Sequence, residues 1–316
     1  MSANQITTAF VNQFSANVQL LSQQMGSLLR NTVDIETVNG EKAFFDQVGS
    51  TAAVEKTTRN SDTPLIETPH SRRMVTMSDY EYATLIDDQD KIRLLIDPTS
   101  TYARAAAAAM GRKMDDVIIA AMHGDAKTGK DGATTTSFPS GNQIAAGSAG
   151  LTIAKLVEAK QKLDENSVDP SIQRYIVVSP KQISDLLNST TVTSADFNTV
   201  RALATGTISS FVGFTFIVSN RLPVDGSSDR RVFAWAQDGM KVALGKEPNA
   251  QIDTRADKSY ATQVYYCMTM VATRMEEEKV IEIKCSEQGR FKWQQYFLLK
   301  EPMLEQYLLQ RTKPTN

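Results

Sequence analysis

Two cysteines and two histidines are all that occur in 316 residues. Cys267 and Cys285 are too few for a disulfide framework and read as two buried thiols of a cytosolic protein. His70 and His123 have no cysteine or second histidine at ligand spacing, which argues against a zinc site. Long apolar runs are also missing. The longest, residues 105–110 and 117–122, fall far short of the ~18 apolar residues that span a bilayer, so no membrane partner is expected. The N-terminus has no positively charged stretch of the kind that opens a secretory signal. Neither sign of charge is in surplus: 34 Lys and Arg stand against 36 Asp and Glu, a net charge of -2. A dedicated nucleic-acid binder would show a basic excess. What remains, 41% hydrophobic and 22% charged residues, is enough for a sizeable core and excludes a disordered chain.

The most localised absence is charge at the start of the chain. Residues 1–29 carry none, and the first charged side chain is Arg30. Within this segment Ile6, Phe10, Phe14, Val18, Leu21, Met25 and Leu28 recur at steps of three and four, which predicts one face of a helix. The opposite face is Gln, Asn, Ser and Thr, whereas a helix lying on a membrane would carry Lys or Arg there. The segment therefore reads as an arm covered by protein on both sides, with an ordinary first core helix as the alternative.

Residues 33–96 read as extended structure. Asn39-Gly40 is a turn signal, and two strands flank a long polar tip around Arg59, Asn60, Ser61 and Asp62. A hairpin of that length with so few apolar residues near its tip has too little to bury by itself. A long helix is predicted over about 98–123, begun by Asp97-Pro98 and stopped by Gly124. Its expected buried stripe is Ala103, Ala107, Met110, Met114, Val117 and Ala121. The small residues 105–109 would let another element approach closely. Beyond a loop or short hairpin at 124–150, the periodicities predict a helix over 151–163, a strand at 175–178 and a short helix from Ser179-Pro180. An alternating strand at 211–220, broken by Gly213, comes next, and then strands at 231–235, 240–244, 264–272 and 280–283. Helices early and strands late make the fold class α+β.

Catalytic and cofactor motifs are near-misses. Residues 124–130, GDAKTGK, match seven positions of a phosphate-binding loop, but Asp131 stands where Ser or Thr would ligate magnesium. The stretch also follows a helix instead of opening one. Residues 87–90 hold three aspartates without the glycine and glutamate of a calcium loop. Asp115-Asp116 and residues 276–278 read as solvated or ion-paired acids, and Arg72-Arg73 beside His70 as a small solvated basic patch. His123 reads as a favourable cation at a helix C-terminus. No nucleophile lies in a catalytic setting, so no enzyme activity, metal or cofactor is expected.

The order of these pieces carries a resemblance. The uncharged arm, long hairpin, alanine-rich helix with Arg112 to Asp116, Pro69-His70-Ser71-Arg72-Arg73, and the run GTISSFVGFTFIVSNRLP at 206–223 together resemble the HK97-type major capsid proteins of tailed phages over about residues 1–286. The resemblance implies an HK97-like fold: an N-arm at 1–35, an extended loop at 36–96, a peripheral domain at 97–170 plus 251–286, and an axial domain at 171–250. Past the usual closing strand, residues 287–316 are too apolar for a free tail and are expected to form a C-terminal arm on a neighbouring subunit. The implied function is a shell of hexamers and pentamers around double-stranded DNA in the virion, made in the host bacterial cytoplasm. Expected partners are other copies of the chain, a separate scaffold protein, a portal protein and a decoration protein. DNA would be enclosed without sequence-specific binding. Expected inter-subunit contacts are Ile6, Phe10, Phe14, Leu21, Arg59, Arg72, Arg73, Trp293 and Phe297. Two other readings stay open: a non-viral encapsulin-like compartment shell, and a phosphate-handling enzyme built on the Gly124 loop.

Overall fold

The computed structural model of the chain describes residues 23–60, 62–63, 65–86, 99–188 and 210–287. In chain order the elements are β1 (Asp34–Thr37), β2 (Lys42–Val48), β3 (His70–Thr76), β4 (Ser78–Ile86), α1 (Thr99–His123), β5 (Ala126–Thr128), β6 (Thr134–Thr136) and β7 (Gln143–Ile144). Then come α2 (Ile153–Glu165), β8 (Arg174–Val178), α3 (Pro180–Leu187), β9 (Ser210–Phe211), β10 (Phe214–Val218), β11 (Asp229–Ala236), β12 (Met240–Arg255), β13 (Ala261–Arg274) and β14 (Val280–Ser286). The α+β expectation holds.

The chain forms two compact units, the first drawn from residues 1–121, 125–136 and 241–273 and the second from 122–124, 137–240 and 274–316. Residues 137–170 and 274–286 fall with 171–240 in the second unit. The reason is strand pairing, since β14 lies beside β11 and β7.

The first unit holds two four-stranded sheets, ordered β1-β12-β13-β4 and β2-β3-β5-β6. β1 runs parallel to β12, with Asp34 opposite Lys241, and β4 antiparallel to β13. The expected hairpin is present as β2 and β3, antiparallel from Lys42 opposite Thr76 to Val48 opposite His70. α1 buries Ala106, Met110, Met114, Ile118 and Met122, with Ala108, Asp115 and Ile119 beside them. Of the expected stripe only Met110 and Met114 are buried; Ala107 is exposed. In an alanine-rich stretch the residues are equally apolar, so what covers the helix decides which row is buried.

The second unit centres on a mixed six-stranded sheet ordered β7-β14-β11-β8-β10-β9. β8 and β10 are parallel, and β11 runs antiparallel to both β8 and β14. Val232, Phe233, Ala234, Trp235 and Ala236 are all 0% exposed, the continuous apolar run of a strand covered on both faces. α2 starts at the Thr152 cap, whose hydroxyl accepts from Lys155 N, and buries Leu156, Ala159 and Leu163. Arg274, 0% exposed, donates to the carbonyls of Met122 and Gly124 at the end of α1, so a cation meets the carbonyls a helix C-terminus leaves unpaired. His123 stacks on Phe233 at 5.7 Å.

Three expectations about local structure are corrected. The strand predicted at 211–220 is a hairpin: β9 pairs antiparallel with β10, and Val212 and Gly213 turn between them at φ 53° and 82°. Positive φ at both positions is what a tight two-residue hairpin turn requires. β12 runs to Arg255, well past Leu244. Its outer part is exposed and charged, so no alternation marks it in the sequence. Residues 23–29 are not helical, although Met25 and Leu28 continue the apolar spacing of the arm.

Candidate assembly site: the arm root and the extended loop

The segment that joins the uncharged arm to β1 is held on one face of α1 by a carboxylate. Asp115 is 0% exposed. It accepts from Gln24 Nε2 and Ser27 Oγ at 2.5 Å, and from the backbone N–H groups of Leu28 and Leu29 at 3.1 Å. Ser27 Oγ in turn accepts from Arg30 N at 3.1 Å, opening a one-turn 3-10 helix over Arg30–Thr32. These N–H groups have no partner within the turn, and Asp115 supplies the anion that such an end favours. One turn earlier Arg112 donates to Gln23 Oε1 at 2.8 Å and to the Gln24 carbonyl at 3.2 Å. Just before Arg112, a side chain on Gly111 would put its Cβ 2.4 Å from the Gly26 carbonyl carbon. Gly26 itself sits at φ 80°. The two glycines let the backbones meet, and Leu29, 0% exposed, closes the contact.

Buried charge at Asp115 corrects the expectation of a solvated acid. Burying a carboxylate is costly unless its oxygens are saturated with donors, and here the arm root saturates them. A sequence signal was present: a glycine in the middle of a 25-residue helix costs about 1 kcal/mol against alanine, so a packing reason for it is to be looked for.

The extended loop is the opposite case. β2 alternates, with Ala43 and Phe45 buried and Phe44 43% exposed. Arg72 lies over the Phe44 ring at 5.4 Å and pairs with Asp46 at 2.5 Å. The hydrogen bond from Arg72 holds the Asp46 carboxyl below its ordinary range. Arg73 faces the other way and is buried, so the basic patch expected at Arg72-Arg73 is one exposed and one buried arginine. Strand alternation separates them. Between β2 and β3 every described residue of 49–69 is exposed, Arg59 included; Leu65 is 97% and Val54 61% exposed. The loop leaves the apolar side chains of Val54, Leu65 and Ile66 exposed to water.

Ile6, Phe10, Phe14, Leu21, Trp293 and Phe297 lie outside the described residues. Residues 124–130 form β5 and its turn into β6, a hairpin in a sheet with no helix start to receive phosphate. Among the described residues no group of His, Cys, Asp or Glu could hold a metal ion, and no helix is long and apolar enough to cross a membrane.

A phage capsid protein family model matches residues 6–287. The chain belongs to that family. Solved capsids share its HK97-like fold at low identity. The capsid protein of cyanophage P-SCSP1u superposes with a TM-score of 0.70 at 16% identity, covering 89% of this chain and 94% of that one. The matching chain of Mycobacterium phage Che8 gives 0.64 at 18%, covering 87% and 97%, and the capsid of Ralstonia phage GP4 gives 0.68 at 12%, covering 88% and 95%. No curated protein sequence matches. This capsid protein is thus a structural component of a virion shell, and nothing favours the compartment or phosphate-enzyme readings.

Proposed function

We propose that this major capsid protein assembles as hexamers and pentamers into an icosahedral shell around phage double-stranded DNA. It performs no catalysis. The observation that carries the reading is the loop at 49–69, whose apolar residues are exposed in the single chain although the family builds shells from many copies. The extended loop at 36–96, the N-arm at 1–35 and the C-terminal arm at 287–316 are the parts a neighbour covers. Residues 97–170 with 251–286 are the proposed peripheral domain, and residues 171–250 the proposed axial domain. Ile6, Phe10, Phe14, Leu21, Arg59, Arg72, Trp293 and Phe297 are proposed contacts between copies. Arg73, being buried, supports the loop from behind. A near-neutral wall encloses DNA without gripping it by counterion release. A separate scaffold protein, a portal protein and a decoration protein are the proposed further partners, and the host cytoplasm the place of assembly.

Expressing the chain with a scaffold protein and imaging the product by electron microscopy tests this. Closed shells tens of nanometres across are expected. A small monodisperse oligomer under every condition would overturn the reading.

A further inference from the structure

β4 ends the sheet β1-β12-β13-β4, and among the described residues only β13 lies beside it. An edge strand leaves a row of N–H and C=O groups ready to pair with another chain. Proteins guard such edges by keeping them short or by placing lysine or proline on them. The other edges of the three sheets follow that rule: β1, β6, β7 and β9 are two to four residues long, and β2 opens on Lys42. β4 does not. It has nine residues, SDYEYATLI, with no lysine, arginine or proline among them. Its two acids are turned inward, away from the free edge. Asp79 Oδ1 accepts from Thr269 Oγ1 at 2.6 Å, and Glu81 Oε1 accepts from the Tyr265 hydroxyl at 2.9 Å; both donors are on β13. On the same face Leu85 is 48% exposed. On the opposite face Tyr80 and Tyr82 are half-buried, with Lys113 of α1 over the Tyr80 ring at 5.0 Å.

The strand is also complementary to itself. With two copies antiparallel and Tyr82 opposite Tyr82, Ser78 faces Ile86, Asp79 faces Leu85, Tyr80 faces Thr84 and Glu81 faces Ala83. Every residue of the strand then has a partner, and no like charges meet. The aromatic–aromatic and aromatic–β-branched pairs fall on the face of Tyr80 and Tyr82, and such pairs favour strand pairing. Centring the pair on Glu81 instead would set that carboxylate against itself. Centring it on Ala83 would leave Ser78 and Asp79 without partners, and a slip of a single residue would exchange the two faces. In a protein that builds a shell from many copies, the neighbour is another copy, and a two-fold axis is the contact that oligomers use most. We propose that β4 pairs antiparallel with β4 of a second copy of this chain about a two-fold axis at Tyr82, so that two four-stranded sheets become one continuous sheet. The inference rests on the shell-forming reading above.

The full-length chain would carry Cys267→Ser, so that the half-exposed thiol forms no crosslink of its own, together with Tyr82→Cys or Tyr80→Cys. Shells made with a scaffold protein would be oxidised and run on a non-reducing gel. Directly opposite residues of antiparallel strands have Cα atoms about 4.5–5.5 Å apart, a span that a disulfide bridges. Two copies of residue 80 would lie about 13 Å apart along the strands. Tyr82→Cys is therefore expected to give a dimer of this chain, and Tyr80→Cys none. A second pair of variants reads the register through particle yield, measured by sedimentation. Ala83→Glu sets a like charge opposite Glu81 on both sides of the axis and should lower yield about tenfold, whereas Ala83→Lys should keep it. Shells in which the Tyr82→Cys chains stay monomeric, or crosslink no better than the Tyr80→Cys chains, would overturn the inference. Equal yields from the two Ala83 variants would do the same, as would a Tyr82→Cys crosslink to another protein in place of a dimer. Should the unaltered chain form no shells, the shell-forming reading fails instead.

Discussion

β11 and the loop at 49–69 are built on opposite terms. In β11 five consecutive residues from Val232 to Ala236 are fully buried within the chain's own second unit. In the loop, Leu65 is 97% exposed and no described residue from 49 to 69 is covered. The strand is stabilised before assembly. On the proposed reading the loop gains stability when a neighbour arrives, by the linkage that makes anything binding the folded state stabilise it. A shell subunit needs both: a body that folds alone, and surfaces that stay unsatisfied until the shell closes.

The sharpest way to break that comparison is to damage the body. Trp235→Ala removes a fully buried ring that lies 6.0 Å from Tyr175. It is expected to cost about 4 kcal/mol of subunit stability, measured by urea unfolding, since large-to-alanine core truncations lose both transfer and cavity energy. A loss under about 0.5 kcal/mol, the size of an ordinary surface change, would mean the second unit is not the stable part. Next in size is Asp115→Ala, which strips the acceptor from Leu28 N, Leu29 N, Ser27 Oγ and Gln24 Nε2. Donors left buried without a partner make this about 3 kcal/mol, with faster proteolysis near residues 23–30. An unchanged cleavage pattern would show that Asp115 does not hold the arm root.

A smaller effect is a pH dependence carried by Glu287. Glu287 is lowered in the folded state, so it binds its proton less readily there than in the unfolded chain. Its stabilisation is complete above the ordinary carboxylate value of 4.5 and fades as pH falls through the lowered value. Glu287→Gln should flatten the acid side of the subunit's stability profile; an identical profile would show that the charged form of Glu287 adds no stability. The smallest expected change in the subunit is from Leu65→Asp, within about 0.5 kcal/mol of the unaltered chain, as befits an exposed position. Particle yield should nevertheless drop severely, because a charge would enter the covered surface. A variant that assembles normally would remove the loop from the contacts between copies.

Local elements were legible because their signals are local. Asp97-Pro98 and Gly124 bracket a helix observed over Thr99–His123. Ser179-Pro180 starts α3, and the polar tip at Arg59 separates β2 from β3. The uncharged arm and the order of the family's pieces made the capsid fold readable as well. What the sequence left open was which of several equally apolar rows of α1 would be covered, and whether Asp115 would face water. It also left open that β1 pairs with β12 and β8 with β10. Those outcomes depend on partners distant in the chain: a buried carboxylate is stable only where donors converge on it, and a parallel strand pairs only after a long crossover returns. Composition and spacing thus determined most of the local elements. Tertiary packing alone turned Gly111, Arg112 and Asp115 into an anchor and paired Glu287 with Arg230, because their energies exist only once residues far apart in sequence have met.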